Sequence, residues 1–358
     1  MHTPPVGTIN HQVRLASRPV GLPTAANWQF TEEPVIEPAD GGVLIKTLAL
    51  SLDPAMRGWM NDGKSYIPPV AIGEVMRAGG AGVVVASHHP AHAVGDFVTG
   101  SPGVQEYWSV PADELKRSGL ARIDLRAGSL TQWLNVLGMP GMTGYFGLMD
   151  VGLPQAGETL VVSGAAGAVG QTVGQMAKIK GCRVVGIAGG AAKCDWVVKE
   201  LGFDACIDYK AAAPAGVSAE KWNAVREGLK QHCPQGVDIY FDNVGGDILD
   251  QVLARINRRA RIVICGAISQ YNNTTPVQGP KNYLSLLVNR ARMEGIVVFD
   301  YAARYSVAIA EMAGYLQDGR MKSREDVVEG GVAAFPATLG KLFSGENFGK
   351  LVLKVADA

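Results

Sequence analysis

What this chain lacks narrows the classes to which it can belong. No cysteine precedes Cys182, and the five cysteines form no Cys-x-x-Cys pair. The 33 basic residues cancel the 33 acidic ones, no apolar run is long enough to span a membrane, and the start shows no signal-peptide pattern. We therefore expect a cytoplasmic protein with reduced thiols, and neither nucleic acid nor membrane as a partner.

The first part of the chain is predicted to be rich in strands. Strand-like runs cover residues 43–50, 82–86, 95–100 and 107–110, and the frequent turns between them favour a small barrel. The loops at 51–57 and 65–69 are rich in proline and in functional side chains. Such loops either bind ligands or merely connect strands.

The pattern changes near residue 130. A helix is predicted to start within 129–136 and to be broken by the glycines and the proline of 138–144. From residue 159 onward strands alternate with helices, which predicts right-handed crossovers and a parallel sheet. After the first strand, the predicted strands are 183–188, 205–208, 237–242, 261–265 and 293–298, and the predicted helices between them are 193–201, 220–232 and 247–256.

The end of the chain suggests a discontinuous domain. A last helix is predicted at 302–317, and the tail after it ends in a strand-like run at 350–355. That strand needs a sheet, which the first region could provide. A chain of 358 residues is too long for a single ordinary hydrophobic core, so two domains are expected. We predict an α/β protein in which residues 1–130 and 318–358 enclose a dinucleotide-binding domain of residues 131–317.

A glycine-rich turn organises the predicted parallel sheet. Apolar residues 160–162 lead into Ser-Gly-Ala-Ala-Gly-Ala-Val-Gly at 163–170, after which apolar residues recur at helical spacing. Small residues let the backbone approach a pyrophosphate, and the helix N-terminus offers N–H groups to it. The fingerprint is imperfect because Ala165 replaces its first glycine, and such a turn can also simply connect a strand to a helix.

The end of the second strand favours NADP(H) as the cofactor. An NAD site normally carries an acidic residue there, whereas this strand runs into Gly189 and Gly190 and is followed by Lys193. The glycines leave room for a 2′-phosphate and the ammonium group compensates its charge; alternatively, Lys193 only solvates a helix start. Further glycine-rich strand exits at 242–246 and 265–269 would allow a nicotinamide and its ribose to come close.

Several motifs together resemble one known family. The stretches 51–57, 164–170, 241–246, 265–269 and 345–350 are similar to the zinc-independent medium-chain dehydrogenase/reductases, in the group of prostaglandin reductase (leukotriene hydroxydehydrogenase), plant alkenal double-bond reductases and bacterial curcumin reductase. The resemblance implies a GroES-like β-barrel catalytic domain closed by the C-terminal tail, a Rossmann domain with a doubly wound parallel sheet, NADPH as cofactor, and a homodimer.

The resemblance also assigns site residues. A substrate pocket is expected at Pro54, Ala55, Met56 and Tyr66; because family members commonly have tyrosine at the position of Ala55, this pocket should be wider or differently shaped. Gly189 borders the expected phosphate. The other implied cofactor contacts, from the pyrophosphate to the nicotinamide, are Ala166, Gly167, Ala168, Val169, Lys193, Tyr209, Asn243, Cys265, Gly266, Ala267, Ile268, Tyr271, Ile296, Val297, Val298, Phe299 and Asn347.

The sequence predicts a site without metal. Where zinc-dependent relatives of this fold carry Gly-His-Glu, the chain reads Gly73-Glu74, and the histidines of 88–92 are interpreted as a surface turn. Without a Lewis acid, an enone is a better substrate than a simple alcohol or ketone. Hydride addition to its β-carbon leaves an enolate, and Tyr271 is the candidate catalytic residue that donates a hydrogen bond to it. The alternative for Tyr271 is packing against cofactor or substrate. Tyr66 is a second candidate for the donor and is interpreted mainly as part of the pocket wall.

These observations lead to one main functional hypothesis. It is an NADPH-dependent reductase of activated carbon–carbon double bonds, an oxidoreductase acting on the CH–CH group of a small enone or alkenal. A quinone reductase on the same scaffold and a non-catalytic NADPH-binding protein are the alternatives.

Overall fold

The computed structural model describes residues 4–5, 7–115, 117–220 and 222–358. The chain divides into two compact units. Unit 1 consists of Met1–Leu134 and Glu325–Ala358, and unit 2 of Asn135–Arg324. The boundaries therefore follow Leu134 and Arg324, where the sequence placed them after residues 130 and 317.

The N-terminal part of unit 1 is built mainly of strands. It also contains short 3-10 turns at Ala25–Asn27 and Gln132–Leu134. Its strands and its helix are β1 (Ile9–Leu15), β2 (Trp28–Pro34), β3 (Val43–Ser51), α1 (Ala55–Trp59), β4 (Gly79–Ser87), β5 (Phe97–Gly100), β6 (Tyr107–Val110) and β7 (Ala121–Arg122).

In unit 2, strands alternate with helices. A π-helical turn at Gly147–Gly152 and a 3-10 helix at Val298–Arg304 interrupt the alternation. Its elements are α2 (Met139–Phe146), β8 (Thr159–Ser163), α3 (Ala168–Ile179), β9 (Arg183–Ala188), α4 (Ala191–Lys199), β10 (Ala205–Asp208), α5 (Ala224–His232), β11 (Val237–Asp242), α6 (Gly246–Leu253), β12 (Ile256–Ile264), α7 (Leu284–Asn289), β13 (Arg292–Gly295) and α8 (Tyr305–Gln317).

The C-terminal segment returns to unit 1. It contains a 3-10 turn at Val332–Ala334 and the elements β14 (Glu325–Val328), α9 (Phe335–Ser344) and β15 (Lys350–Lys354). Strand β15 pairs antiparallel with β3, and Val352 lies opposite Ser51. Among the described residues the mixed sheet has the order β14-β15-β3-β4-β5-β7, with β6 also on β3, and β1 and β2 form a separate hairpin. The tail thereby completes the sheet that the first region begins.

The described strands of unit 2 form one parallel sheet in the order β10-β9-β8-β11-β12-β13. All five residues of β8 are buried, because helices cover both faces of such a sheet. The strand order reverses between β8 and β11, so the carboxyl ends of these strands flank a switch point at which ligands usually bind. The predicted α/β fold class, a doubly wound Rossmann sheet with a second β-rich domain, is confirmed.

Several local predictions are wrong. A helix was expected to start within 129–136 and to be broken by 138–144. The first stretch forms only a 3-10 turn at Gln132–Leu134, whereas the second contributes most of α2, which has Pro140 in its first turn, where proline is tolerated. Gly141 and Gly144 belong there because a side chain at Gly141 would meet the Val136 carbonyl 1.7 Å away, and one at Gly144 would meet Val173 at 3.2 Å. The sequence pattern showed the glycines but not this close packing.

The other errors concern the bounds and the order of elements. Strand β12 begins at Ile256, five residues before the predicted strand 261–265. Strand β13 stops at Gly295, so the predicted strand 293–298 is too long, and a 3-10 helix begins at Val298. The helix predicted at 302–317 is not the last one, because α9 follows it in unit 1. Within the described part of the chain, no helix combines the length and the apolar character needed to cross a membrane.

Candidate functional site

The glycine-rich turn joins β8 to α3 at the switch point. Gly164 has a positive φ of 61°, and the N–H of Gly167 donates to its carbonyl at 2.8 Å. Gly167 is the N-cap of α3, so the predicted contacts Ala166, Ala168 and Val169 all lie at this helix start. The first N–H groups of a helix have no carbonyl partner within it and can therefore bind an anion.

Ala165, the departure from the fingerprint, is accommodated by a second glycine. Its side chain is fully buried, and its N–H donates to the carbonyl of Ile187 on β9 at 3.0 Å. A Cβ at Gly186, also on β9, would lie 2.8 Å from the Ala165 Cβ. The missing side chain of Gly186 thus provides the space that the alanine methyl group fills.

The predicted phosphate loop follows β9. Lys193 lies on α4 and is partly buried, and Tyr209, 43% exposed, follows β10. The Tyr209 hydroxyl covers Gly189 so closely that a Cβ there would be 2.7 Å from it. Sequence reasoning missed Asp208, whose Oδ1 accepts hydrogen bonds at 2.8 and 2.9 Å from the N–H groups of Gly190 and Lys210. This carboxylate shapes the loop through its backbone.

A buried carboxylate connects the ends of β8 and β11. Asp242 is 1% exposed, and its Oδ1 accepts hydrogen bonds from the Ser163 and Tyr240 hydroxyls at 3.1 and 2.8 Å. The N–H groups of Val244 and Gly245 donate to the same oxygen at 3.0 and 2.9 Å. Burial raises the pKa of Asp242, and these donors oppose that rise. Sequence reasoning assigned neither Ser163 nor Asp242 a role.

The network of Asp242 and Ser163 also orients Asn243, a predicted ribose contact. The Asn243 side chain donates from Nδ2 to the Ser163 carbonyl at 2.7 Å, and its N–H donates to Ser163 Oγ at 2.9 Å. Both bonds cross from β11 to β8, so Asn243 is held at the switch point itself. An apolar residue at position 243 would remove the first bond, and one at position 163 would remove the second.

The exit of β12 lies next to that of β11. The N–H groups of Cys265 and Gly266 both donate to the Asp242 carbonyl, at 2.9 and 3.1 Å. The Tyr271 hydroxyl accepts a hydrogen bond from the N–H of Ala267 at 3.1 Å, and a Cβ at Gly266 would lie 2.8 Å from that hydroxyl. The structure therefore brings Tyr271 onto the loop that contains four of the predicted nicotinamide contacts, residues 265–268.

The remaining predicted contacts of unit 2 border this loop. Ile268 donates its N–H to the Asn243 carbonyl at 3.3 Å, and Ile296 donates its N–H to the Ile264 carbonyl at 3.1 Å. Val297 and Val298 are partly buried, whereas Phe299 is 44% exposed. Burial raises the pKa of the Cys265 thiol to about 12, so this thiol is not a nucleophile at neutral pH.

The predicted substrate loop belongs to unit 1. Pro54 is the N-cap of α1 and Ala55 its first residue, both partly exposed, and Tyr66 is 56% exposed. Met56, in contrast, has no exposed surface and packs in the core of unit 1. Its side chain is therefore part of the core. Asn347, on the loop before β15, donates from Nδ2 to the Gly349 carbonyl at 3.0 Å.

A buried ion pair holds the substrate loop. Lys350 Nζ donates to the Leu52 carbonyl at 2.7 Å and to Asp53 Oδ1 at 2.6 Å, and the Ser51 hydroxyl donates to Asp53 Oδ2 at 2.5 Å. The Lys350 side chain is 1% exposed, and burial lowers its pKa against the opposing effect of Asp53. Sequence reasoning missed this pair, because its partners lie at opposite ends of the chain.

No metal site is apparent from the side chains. Within residues 4–5, 7–115, 117–220 and 222–358, no three His, Cys, Asp or Glu residues are grouped as metal ligands would be. The five cysteines are unpaired thiols.

Family models match both parts of the chain. Residues 11–118 match the model described as the N-terminal domain of oxidoreductase, and residues 168–314 match the one described as zinc-binding dehydrogenase.

Similar proteins extend over nearly the full length. The NADPH-dependent curcumin reductase of Escherichia coli is 43% identical over 353 residues, which cover 97% of each chain. The NADP(+)-dependent 2-alkenal reductase of Nicotiana tabacum is 37% identical over 351 residues, 97% of this chain and 98% of that protein. The crystal structure of CurA from Vibrio vulnificus in complex with NADPH matches with a TM-score of 0.88 at 42% identity, covering 97% of this chain and all of that one (100%). The chain accordingly belongs to the zinc-independent medium-chain dehydrogenase/reductases, in the group of alkenal and curcumin reductases.

Proposed function

We propose that this protein is an NADPH-dependent reductase of activated carbon–carbon double bonds, acting on α,β-unsaturated ketones or aldehydes. The observation that carries this proposal is the carboxyl edge of the parallel sheet. The glycine turn follows β8, Lys193 follows β9, Asn243 follows β11 and Tyr271 follows β12, so four neighbouring strands contribute to one edge. The named activities of the relatives from Escherichia coli and Nicotiana tabacum support the reaction class.

The residues at this edge fit NADPH. The start of α3 offers N–H groups to a pyrophosphate, and Lys193 offers a positive charge to a 2′-phosphate. Among the described residues, no heavy atom lies within 4 Å of a Cβ placed on Gly190, so there is open space beside the phosphate loop. Asn243 and the loop 265–268 would then hold the ribose and the nicotinamide. Asn347 in unit 1 remains a proposed contact.

The chemistry that we assign to the chain is charge stabilisation. NADPH, when bound, supplies the hydride that adds to the β-carbon of the enone. Negative charge then develops on the carbonyl oxygen, and a positioned hydrogen-bond donor stabilises the resulting enolate. We assign this donor to Tyr271, whose hydroxyl is positioned by the N–H of Ala267. Accepting that hydrogen bond does not use the proton of the hydroxyl group itself.

We propose that the substrate contacts Pro54, Ala55 and Tyr66. Each of these residues keeps exposed surface, and Ala55 leaves space where a tyrosine is common in the family. Lys350 and Asp53 are positioning residues for this loop.

Replacing Tyr271 with phenylalanine tests the assignment. The variant keeps the ring and loses the donor, so turnover of a small enone should fall about tenfold to a hundredfold, less than for a complete oxyanion-hole defect because water can share the role. Turnover and the dissociation constant of NADPH are measured separately, because the loop at Ala267 also loses a hydrogen bond. Tyr283→Phe, at an exposed tyrosine of the same unit, is the matched control. A deuteride isotope effect first shows that hydride transfer limits the rate. If turnover is then unchanged in Tyr271→Phe, the role of Tyr271 is packing alone.

A substrate panel tests the function as a whole. NADPH oxidation is followed with enones, alkenals and quinones, before and after treatment with a chelator. We expect enones and alkenals to be reduced fastest and the chelator to have no effect. Faster turnover of quinones would favour a quinone reductase, and NADPH binding without turnover of any compound would favour a non-catalytic protein.

We also propose a cytoplasmic homodimer. Strand β13 lies at the edge of the parallel sheet with all four residues exposed, and on the preceding helix α7 Leu287 and Val288 are 75% and 67% exposed. An open edge beside apolar side chains favours pairing with a second copy. The unpaired cysteines agree with a reducing compartment. Light scattering that gives the mass of a monomer would exclude the dimer.

A further inference from the structure

Two cysteines outside the proposed chemistry lie against each other. Cys194 is on α4 and Cys206 on β10, and the Cys206 thiol donates a hydrogen bond to the Cys194 sulfur across 2.7 Å. A disulfide bond is about 2.05 Å long. The two sulfur atoms therefore need to approach by well under an ångström to bond.

Cys194 differs from the other four thiols in the direction of its pKa shift. Burial raises the pKa of Cys182 and of Cys233 to about 11, and that of Cys265 to about 12. The pKa of Cys194 is lowered, chiefly because the Cys206 thiol donates to its sulfur, whereas the same hydrogen bond and burial raise the pKa of Cys206. Cys194 is 9% exposed and Cys206 is partly exposed, whereas Cys182 and Cys233 are 3% and 1% exposed. Thiolate character and access are what select a cysteine for oxidation.

We propose that Cys194 and Cys206 are a redox modification site that forms a reversible disulfide on reaction with a hydroperoxide. With hydrogen peroxide, the Cys194 thiolate attacks the O–O bond, which breaks to give a sulfenic acid and, after protonation, one water. The Cys206 thiol then attacks the oxidised sulfur, the S–S bond forms and a second water leaves. The two thiols lose two electrons and two protons in total, and the peroxide is reduced. A small thiol reverses the reaction by disulfide exchange.

The disulfide would also affect cofactor binding, an inference that rests on the proposed function. The two cysteines are on the two segments that would bind the 2′-phosphate. Lys193 directly precedes Cys194, and Tyr209 follows the strand that carries Cys206. The Gly189-Gly190 turn before α4 has little freedom to move. The N–H of Gly190 donates a hydrogen bond to Asp208 Oδ1 at 2.8 Å, and the Tyr209 hydroxyl covers Gly189. Drawing α4 toward β10 reduces the room for a phosphate. The disulfide therefore weakens NADPH binding and leaves NADH, which has no 2′-phosphate, almost unaffected.

Mass spectrometry tests the bond itself without any cofactor. The reduced full-length protein is treated with hydrogen peroxide, quenched by alkylation and digested. We expect the protein to lose two hydrogens and one new peptide pair to contain Cys194 and Cys206. Cys206→Ala should instead accumulate a sulfenic acid at Cys194, which dimedone traps, whereas the control Cys233→Ala should still form the disulfide. No such pair, or equally fast oxidation of Cys182 and Cys233, would overturn the proposal.

A binding measurement tests the consequence. NADPH and NADH affinities are compared for reduced protein and for protein whose oxidation has been verified by mass. We expect oxidation to weaken NADPH binding on the order of fivefold, in the range of moderate couplings between sites. Dithiothreitol should restore the affinity, and Cys206→Ala should show no such change. If protein with a verified disulfide bound NADPH as tightly as reduced protein, the inferred effect on cofactor binding would be overturned. If the reduced protein did not bind NADPH, the result would count against the proposed function.

Discussion

The two units hold their candidate site residues in different ways. In unit 2, the glycine turn is fixed by backbone bonds between near neighbours, such as the 2.8 Å bond from Gly167 to Gly164. In unit 1, the substrate loop is fixed by Lys350, whose Nζ binds the Leu52 carbonyl 298 residues earlier in the chain. The first arrangement is encoded locally, whereas the second exists only after the C-terminal strand has joined the sheet.

This difference predicts different weaknesses. A turn held by several backbone bonds depends on the absence of side chains, so it is sensitive to added atoms. A loop held by a buried ammonium depends on a single charge being paired, because an unpaired buried charge is costly. Removing one group should therefore harm the substrate loop more, and adding one should harm the glycine turn and the strands beside it more.

Lys350→Met should have the largest effect. The substitution leaves the Asp53 carboxylate without its partner, and we expect a loss of about 3 kcal/mol in the free energy of unfolding. The value lies at the lower end of the range for buried pairs because the Asp53 side chain is 29% exposed. Urea unfolding measures it.

Lys354→Met is the matched control on the same strand. The Lys354 side chain is 36% exposed and pairs at the surface with Glu329 and Asp357, so its loss should change stability by less than about 0.5 kcal/mol. The double variant Lys350→Met/Asp53→Leu should recover part of the stability. Equal effects of the two lysine substitutions would refute the importance of the buried pair.

Gly186→Ala adds a methyl group on β9, where the strand packs against Ala165 of the glycine turn in unit 2. It places a Cβ 2.8 Å from that of Ala165, so we expect a loss of about 1–3 kcal/mol in stability. Ala165→Gly in the same chain should restore part of it, leaving a contact with Phe203 at 3.2 Å. Gly314→Ala in α8 is the control, since no described atom lies within 4 Å of its Cβ position. Strictly additive effects of the 165 and 186 substitutions would mean that the two sites do not share this space.

Lys193→Ala tests the local arrangement without disturbing the fold. The preference for NADPH over NADH should fall by about 1–3 kcal/mol, the scale of a charge-assisted hydrogen bond. Catalytic efficiencies with both cofactors measure it. Lys199→Ala on the same helix, where Lys199 pairs with Asp195 at 2.8 Å on the surface, is the control. An equal loss with both cofactors would show that Lys193 does not contact the phosphate.

The smallest effect should come from an exposed pair in unit 1. His11 Nδ1 lies 2.7 Å from Glu106 Oε2, and this hydrogen bond raises the pKa of His11. The stabilisation is therefore complete below the usual pKa of histidine and disappears as the pH rises through the raised value. Since His11 is half exposed, we expect about 0.5 kcal/mol or less, measured as the difference in unfolding free energy between acidic and alkaline pH. His11→Gln should abolish that part of the pH dependence; an unaltered pH profile would contradict it.

The sequence by itself determined most of unit 2. Residues 183–188, 205–208 and 237–242 are strands with the predicted bounds, because strands buried on both faces appear as short continuous apolar runs. The glycine turn could be recognised for a similar reason: its small residues and its helix start are adjacent in the chain.

Only the tertiary structure decided the features that depend on distant partners. It placed Met56 in a core, paired Lys350 with Asp53, fitted Ala165 against Gly186 and brought Cys194 within 2.7 Å of Cys206. It also made a helix of a glycine-rich stretch, because the glycines of α2 allow close packing. None of these leaves a periodic signal in the sequence, since burial, pairing and free space are properties of two segments together and a pattern along the chain describes one segment at a time.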